Sequence, residues 1–178
     1  MAAWRQEAEA WCRAKHYRER TIGRLLSLSE ADGQALWALL RELRLGENQL
    51  RDLWEWAEEI ASRDGRSLHE VVVCEEIQTV LRRRLSRNDR LRLVRQALRR
   101  RRFPRLAAAE EDLQGLLRRA SLPPEVQVRL PANLEGDEVQ VVVSARNPAA
   151  LRRALEAVVQ WARSADCERL FALLEEAP

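Results

Sequence analysis

The spacing of apolar residues changes once along this chain, and the change limits the folds that are open to it. Before Pro123 and Pro124, apolar side chains recur every three or four residues, which is typical of amphipathic helices. After these prolines, two short segments place an apolar residue at every second position, over 126–130 and 139–143. A period of two indicates half-buried strands. The sequence therefore predicts a mainly α protein of the α+β class with one β-hairpin.

Capping signals and apolar stripes divide the first part of the chain into helices. Ser29 is predicted to cap a helix that stops near Gly46. The next helix, over about 47–63, has the cleanest apolar stripe in the chain. A capping box that starts at Ser67 predicts a further helix over about 68–85. We expect these helices to pack together as a helical bundle.

A run of positive charge follows this bundle. Between Arg82 and Arg105 the chain carries twelve arginines and one acid, Asp89, although its net charge is only +3. Charge that is segregated in this way typically faces a polyanion, a membrane surface or an acidic partner. Helical spacing places four of the arginines on one stripe: Arg92, Arg95, Arg99 and Arg102. We expect the stripe to contact phosphate groups together with its neighbours Arg82, Arg83, Arg84, Arg100, Arg101 and Arg105.

The last part of the chain is predicted as a helix, the hairpin and a further helical segment. Phe103 and Pro104 interrupt the basic helix, since the residue before a proline avoids the α region. Asn147 is predicted to cap a helix whose apolar residues we expect in the core: Leu151, Leu155, Val158, Val159 and Ala162. The predicted domains are a helical domain over 1–85, an arginine-rich connecting helix over 86–103 and a helix–hairpin–helix domain over 104–178.

An isolated two-stranded hairpin is marginally stable in water and leaves both of its edges open. Its valine face therefore has to lie on the flanking helices. Pairing with a second copy of the chain would also cover an edge. We expect a homodimer formed through residues 125–144.

The residues that catalysis or metal binding would need are missing from the sequence. Cys12, Cys74 and Cys167 are far apart and odd in number, which predicts a reducing cytoplasmic location rather than a disulfide framework. Cys12 and His16 lack the further ligands that a metal site needs. The sequence has no phosphate-binding glycine loop, no paired acid–base residues and no stretch of roughly 20 apolar residues. We expect a non-enzymatic protein without metal or cofactor and without a membrane partner.

Three stretches of the chain resemble one known family. They are YRERTIGRLLSLSEADGQALWALLRELRL (Tyr17–Leu45), GENQLRDLWEWAEEIASRDGRSLHEV (Gly46–Val71), and RRRRFPRLAAAEEDLQGLL (Arg99–Leu117) with the later LEGDEVQVVVSARN. Together they resemble the C-terminal half of ParB-type partition proteins, which are ParB-like nuclease-domain proteins of chromosome and plasmid segregation. The likeness covers most of the chain through apolar spacing and the signatures RFPRL and EGD.

The resemblance implies a DNA-associated, nucleoid-located protein of chromosome or plasmid segregation. In that family a nucleotide-binding domain and a helix-turn-helix precede a C-terminal dimerisation region. This sequence has no nucleotide-binding motif, and only Tyr17–Leu28 corresponds to the end of the helix-turn-helix region. The features that carry over are dimerisation and binding to the duplex DNA backbone. A fuller partition protein is then an expected partner, with this chain as a fragment, a truncated paralogue or a separate module.

A second interpretation needs no DNA. The predicted helix over 47–63 carries four acids beside its apolar stripe: Asp52, Glu55, Glu58 and Glu59. If these acids pair with the arginines, the basic stripe is a salt-bridged surface, and the chain is a protein-interaction or scaffold module. A stripe that faces open solvent favours the first interpretation, whereas a stripe lined by acids favours the second.

Overall fold

The computed structural model describes residues 3–176, which form ten α-helices and one two-stranded antiparallel sheet. The predicted fold class, mainly α with a helix–hairpin–helix C-terminal part, is confirmed. The chain divides into two compact units, Met1–Arg102 and Phe103–Pro178. These are unit 1 and unit 2.

Unit 1 contains the seven helices α1 (Ala3–Ala14), α2 (Glu19–Leu26), α3 (Glu30–Leu43), α4 (Glu47–Asp64), α5 (Leu68–Val72), α6 (Glu75–Arg82) and α7 (Arg87–Arg102). One cluster of buried side chains draws on all seven. The basic helix α7 contributes Leu91, Val94 and Leu98 to this cluster. Because this apolar seam is buried, α7 is part of unit 1 and not the separate connecting helix that we expected over 86–103.

The predicted N-caps are formed. Ser29, Ser67 and Asn147 each accept a hydrogen bond from the backbone N–H three residues later. Ser86 has the same role at the start of α7, where the Asp89 N–H donates to its hydroxyl. These caps satisfy N–H groups that have no partner inside the helix.

Two helix boundaries differ from the prediction. Helix α3 ends at Leu43, its C-cap Arg44 has the left-handed conformation (φ 45°), and Gly46 is the N-cap of α4 rather than a stop signal. The single helix expected over 68–85 is divided into α5 and α6, with Cys74 in an extended conformation between them. The β-branched run before this break lowers the helix propensity.

Unit 2 contains α8 (Pro104–Arg119), β1 (Val126–Arg129), β2 (Gln140–Val143), α9 (Pro148–Ala162) and α10 (Ala165–Glu175), with a short 3-10 turn at Ala132–Leu134. The strands pair with Val126 opposite Val143 and Val128 opposite Val141. A second cluster of buried side chains combines Leu113 of α8, Trp161 of α9 and Leu170 of α10. Unit 2 thus has its own core.

Helix α9 turns its larger aliphatic residues outward, so the predicted inward face is wrong. Leu151, Leu155 and Val159 are 42%, 47% and 46% exposed, and Ala162 is exposed as well. The helix packs instead through the buried side chains of Ala150, Ala154 and Trp161. The small alanines allow its backbone to approach its neighbours closely, and the indole fills the remaining space.

Gly33 of α3 provides a test of how α1 packs on α3. A Cβ at this position would lie 2.2 Å from Cη2 of Trp4, whose indole N–H donates to Glu30 Oε1 at 2.9 Å. We expect Gly33→Ala to lower the free energy of unfolding by about 1–3 kcal/mol, because the held indole has to move. Urea unfolding followed by circular dichroism measures this change.

Gly23→Ala is the matched control, because Gly23 lies in α2 with open space beside its Cα. Here alanine only improves helix propensity, so we expect a gain of about 0.5–1 kcal/mol. The same sign of change at both glycines would contradict the close contact between Gly33 and Trp4.

Candidate nucleic-acid interface

The fold divides the arginine run into side chains that face α4 and side chains that face solvent. Helix α7 packs along α4. Arg102 contacts Glu59 twice, with Nε 2.5 Å from Oε2 and Nη2 2.9 Å from Oε1. Arg95 Nη2 lies 3.5 Å from Asp52 Oδ2. Arg95 and Arg102 of the stripe are therefore paired with carboxylates of α4.

Trp56 of α4 lies beside both ion pairs. The guanidinium carbons of Arg95 and Arg102 are each 5.6 Å from its ring centroid, within the range of a cation–π contact. The ring also packs against the core of unit 1. Asp52, Trp56 and Glu59 follow one another at spacings of four and three, so they share one face of α4. These three residues form what we call the α4 ridge.

Three more arginines of the run attach α7 to neighbouring helices. Arg87 donates from Nε to the Leu43 carbonyl at 2.8 Å, and Arg101 donates from Nη1 to the Val71 carbonyl at 3.0 Å. Both acceptors lie in the last turn of a helix, where carbonyl groups lack a partner within the helix. Arg90 pairs with a carboxylate of α3. These side chains hold α7 in place, so we do not assign them to a ligand.

The outward part of the run begins where α6 ends. Arg82, Arg83 and Arg84 are exposed, and their side chains form no ion pair or hydrogen bond with any residue in 3–176. We call these three residues the arginine corner. Arg92 is 66% exposed. Its Nη2 lies 3.6 Å from Oδ1 of Asp89, three residues earlier on the same helix, which is a long ion pair.

The remaining predicted site residues lie in different surroundings. Arg100 is exposed in a groove between α6 and α7, which Arg83 also lines together with Glu75 and Glu76. Arg99 is half-buried on α7. Arg105 is exposed and belongs to unit 2, beyond the break at Pro104. The predicted set is therefore not one continuous helical surface.

The acidic helix meets the arginine stripe only in part. Asp52 and Glu59 face α7, whereas Glu58 pairs with Arg24 of α2 and Glu55 lines a cleft on the α2 side. Helical spacing alone predicts that Asp52 and Glu59 lie on a different side of α4 from Glu55 and Glu58. The spacing does not indicate which of these two sides meets the arginines, because that depends on how α4 and α7 are rotated about their axes.

Within residues 3–176, no three His, Cys, Asp or Glu side chains cluster around a possible metal position. Cys12 is fully buried, whereas His16 is exposed. Burial, with a smaller effect of the Glu47 carboxylate, raises the pKa of the Cys12 thiol to about 11. The thiol is therefore protonated at neutral pH, and the thiolate is the reactive form of cysteine.

No protein-family model, curated protein or solved structure gives a significant match to this chain. Within the described part of the chain, none of the helices combines the length and the apolar character needed to cross a bilayer. The fold and the site define a mainly α protein with a partly unpaired cationic surface.

Burial distinguishes Cys12 from Cys74, which is partly exposed. We expect iodoacetamide at about pH 8 to modify Cys74 first and Cys12 only after unfolding, because the thiolate is the reactive form. The folded protein holds the Cys12 proton more tightly than the unfolded chain does. The contribution of Cys12 to the free energy of unfolding therefore falls as the pH rises from 9.0 to about 11. Peptide mass spectrometry measures the order, and equal rates in the folded protein would contradict the burial.

Proposed function

We propose that the protein is a non-catalytic DNA-associated protein that binds the duplex backbone through the arginine corner. The observation that supports this proposal is the run of three exposed arginines, Arg82 to Arg84, without a carboxylate partner in residues 3–176. Arg92 and Arg100 add exposed positive charge on α7. In the segregation role that the resemblance implies, a fuller partition protein would read the DNA sequence, and this chain would strengthen binding to the backbone.

The distribution of charge between the two units agrees with this role. Residues 1–102 contain 22 basic and 16 acidic residues, whereas residues 103–178 contain nine basic and twelve acidic ones. Positive charge is thus concentrated in the unit that carries the corner. Guanidinium groups bind phosphate oxygens in a bidentate manner, and such contacts position a protein without reading bases. The corner has no aromatic neighbour in sequence for stacking on single strands.

Replacing the corner with glutamine tests the proposal. We expect Arg82→Gln, Arg83→Gln and Arg84→Gln together to weaken binding to a duplex of arbitrary sequence. Each lost phosphate contact reduces the slope of log K against log salt concentration by about 0.9, so the slope falls by about 2–3. Fluorescence anisotropy titrations over a range of salt concentrations measure both effects.

A matched variant removes the same charge elsewhere. Arg118, Arg146 and Arg153 are exposed in unit 2 and form no ion pair within residues 3–176. Their joint replacement with glutamine should leave the salt slope unchanged. An equal loss in both variants, or no binding by the unmodified protein at low salt, would rule out the corner as a DNA site.

The α4 ridge supports a second candidate function, a protein-interaction or scaffold module. Its carboxylates already neutralise Arg95 and Arg102, which is the arrangement expected when arginines serve the fold. In this alternative the unmodified protein does not bind duplex DNA even at low salt. The anisotropy titrations therefore distinguish the two functions without a further variant.

The exposed face of α9 supports self-association as part of either function. Leu155 lies midway between Leu151 and Val159, four residues from each, and all three are exposed. In an antiparallel pair of α9 helices, Leu155 therefore meets Leu155 of the second copy, and Leu151 meets Val159. Arg152 and Glu156 lie on the same side of this row of aliphatic residues. In the antiparallel pair, that side of one helix lies beside the same side of the other. Arg152 of one copy therefore approaches Glu156 of the second copy. We propose a dimer that forms through α9. Since α9 contacts β2, this interface lies beside the hairpin.

Leu155→Glu tests the α9 dimer. The residue is about half exposed, so the substitution should leave the fold intact while it places two carboxylates together at the symmetry axis. We expect light scattering to show a dimer for the unmodified protein and a monomer for this variant. Gln160→Glu adds the same charge at an exposed position on another face of α9 and should remain dimeric. A strictly monomeric unmodified protein at high concentration would contradict the proposal.

A further inference from the structure

Unit 1 contains a second cationic surface that is separate from the arginine run. A cleft of about 300 Å³ lies between α2 and α4. Six of the residues that line it carry side-chain hydrogen-bond donors, namely Arg18, Arg20, Thr21, Arg24, Arg51 and Trp54, and the seventh is Glu55. No residue of the arginine corner or of α7 is part of this lining, so the two cationic surfaces share no residue.

The unusual group in this cleft is the indole of Trp54. Trp54 is 0% exposed, and its Nε1 has no hydrogen-bond partner within residues 3–176. A buried indole N–H normally finds an acceptor, because a buried donor without a partner loses its hydrogen bonds to water and gains none in return. The Arg24 guanidinium lies 4.4 Å from the ring centroid and leaves the N–H without an acceptor, since it contains only donors. An acceptor from outside the chain would satisfy this group.

The charges around the indole favour an anionic acceptor. Arg24 is neutralised by Glu58, and the Thr21 hydroxyl donates to Glu47 Oε1 at 2.5 Å. The side chains of Arg18, Arg20 and Arg51 form no ion pair or hydrogen bond inside residues 3–176. Glu55 is the one carboxylate among the described residues that line the cleft. Three unpaired guanidinium groups and one carboxylate leave an excess of positive charge.

The direction from which the donors approach narrows the class of anion. Arg18 and Arg20 lie at the start of α2, where the N-cap residue Arg18 makes no side-chain cap. Arg51 and Trp54 come from α4. Donors from two helices reach an anion from different sides, which suits the tetrahedral oxygens of phosphate better than a planar carboxylate. The first-turn N–H groups of α2 add a favourable dipole for such a group.

We propose that this cleft binds a small phosphate-bearing anion, with Arg18, Arg20, Arg51 and the indole N–H of Trp54 as the donors. The proposal goes beyond DNA-backbone binding and does not depend on it, because it uses none of Arg82, Arg83 and Arg84. The volume of the cleft exceeds that of a single phosphate group, so inorganic pyrophosphate is the appropriate probe.

The indole N–H of Trp54 is itself the reporter for the test. The chain has six tryptophans, and ¹H–¹⁵N spectra resolve their indole signals. Trp54→Phe identifies the signal of Trp54 by its loss. We expect pyrophosphate to shift this signal in a saturable manner while most of the others remain in place. Arg18→Gln combined with Arg51→Gln should weaken the binding about a hundredfold or more, since each substitution removes one charge-assisted hydrogen bond that contributes about tenfold or more to the affinity.

Three controls separate the possible outcomes. Sodium chloride at the same ionic strength should not shift the Trp54 signal, and an equal shift would overturn the proposal. The Arg82, Arg83 and Arg84 glutamine variant should bind pyrophosphate with unchanged affinity, even though its DNA binding is reduced. If duplex DNA shifts the Trp54 signal and pyrophosphate does not, the cleft is a contact for DNA, and the proposal of a small ligand is wrong. Absence of any shift would overturn it as well.

Discussion

The packing of α7 against α4 is the contact on which the arrangement of the arginines depends. Helix α7 buries Leu91, Val94 and Leu98 in the core of unit 1, and each such side chain contributes about 1.5–3 kcal/mol. The ion pair of Arg102 with Glu59 contributes less, because these side chains remain 27% and 50% exposed and surface pairs are worth about 0–1 kcal/mol. The apolar seam therefore sets the rotation of α7, and the rotation selects which arginines meet carboxylates.

The spacing of the paired residues shows how this selection works. Arg95 and Arg102 are seven residues apart on α7, and Asp52 and Glu59 are seven residues apart on α4. Both pairs join residues separated by 43 positions, so the two helices run in the same direction with a constant offset. Seven residues are about two helical turns, which places successive pairs above one another. Trp56 lies between them and contacts both guanidinium groups.

The sequence predicted best those features that act within a turn or a strand. Ser29 and Asn147 cap helices through hydrogen bonds to residues three positions away, and the period-two segments form β1 and β2 as expected. The pairing of Arg95 with Asp52 could not be predicted, because a charge pattern on one helix does not state which face of another helix it meets. The unpartnered indole of Trp54 was not predictable either, since it results from the contact of α2 with α4.

The wrong prediction for α9 has a different physical cause. Its apolar arc is wider than one packing contact can cover, and periodicity alone cannot tell which part of such an arc is buried. The buried residues of α9 are Trp161 and two alanines, whereas Leu151 and Leu155 are exposed. Single exposed leucines are ordinary, whereas a row of aliphatic residues along one helix marks a surface that another molecule covers. The interior of unit 2 leaves these side chains exposed, and we therefore propose that a second copy of α9 covers them.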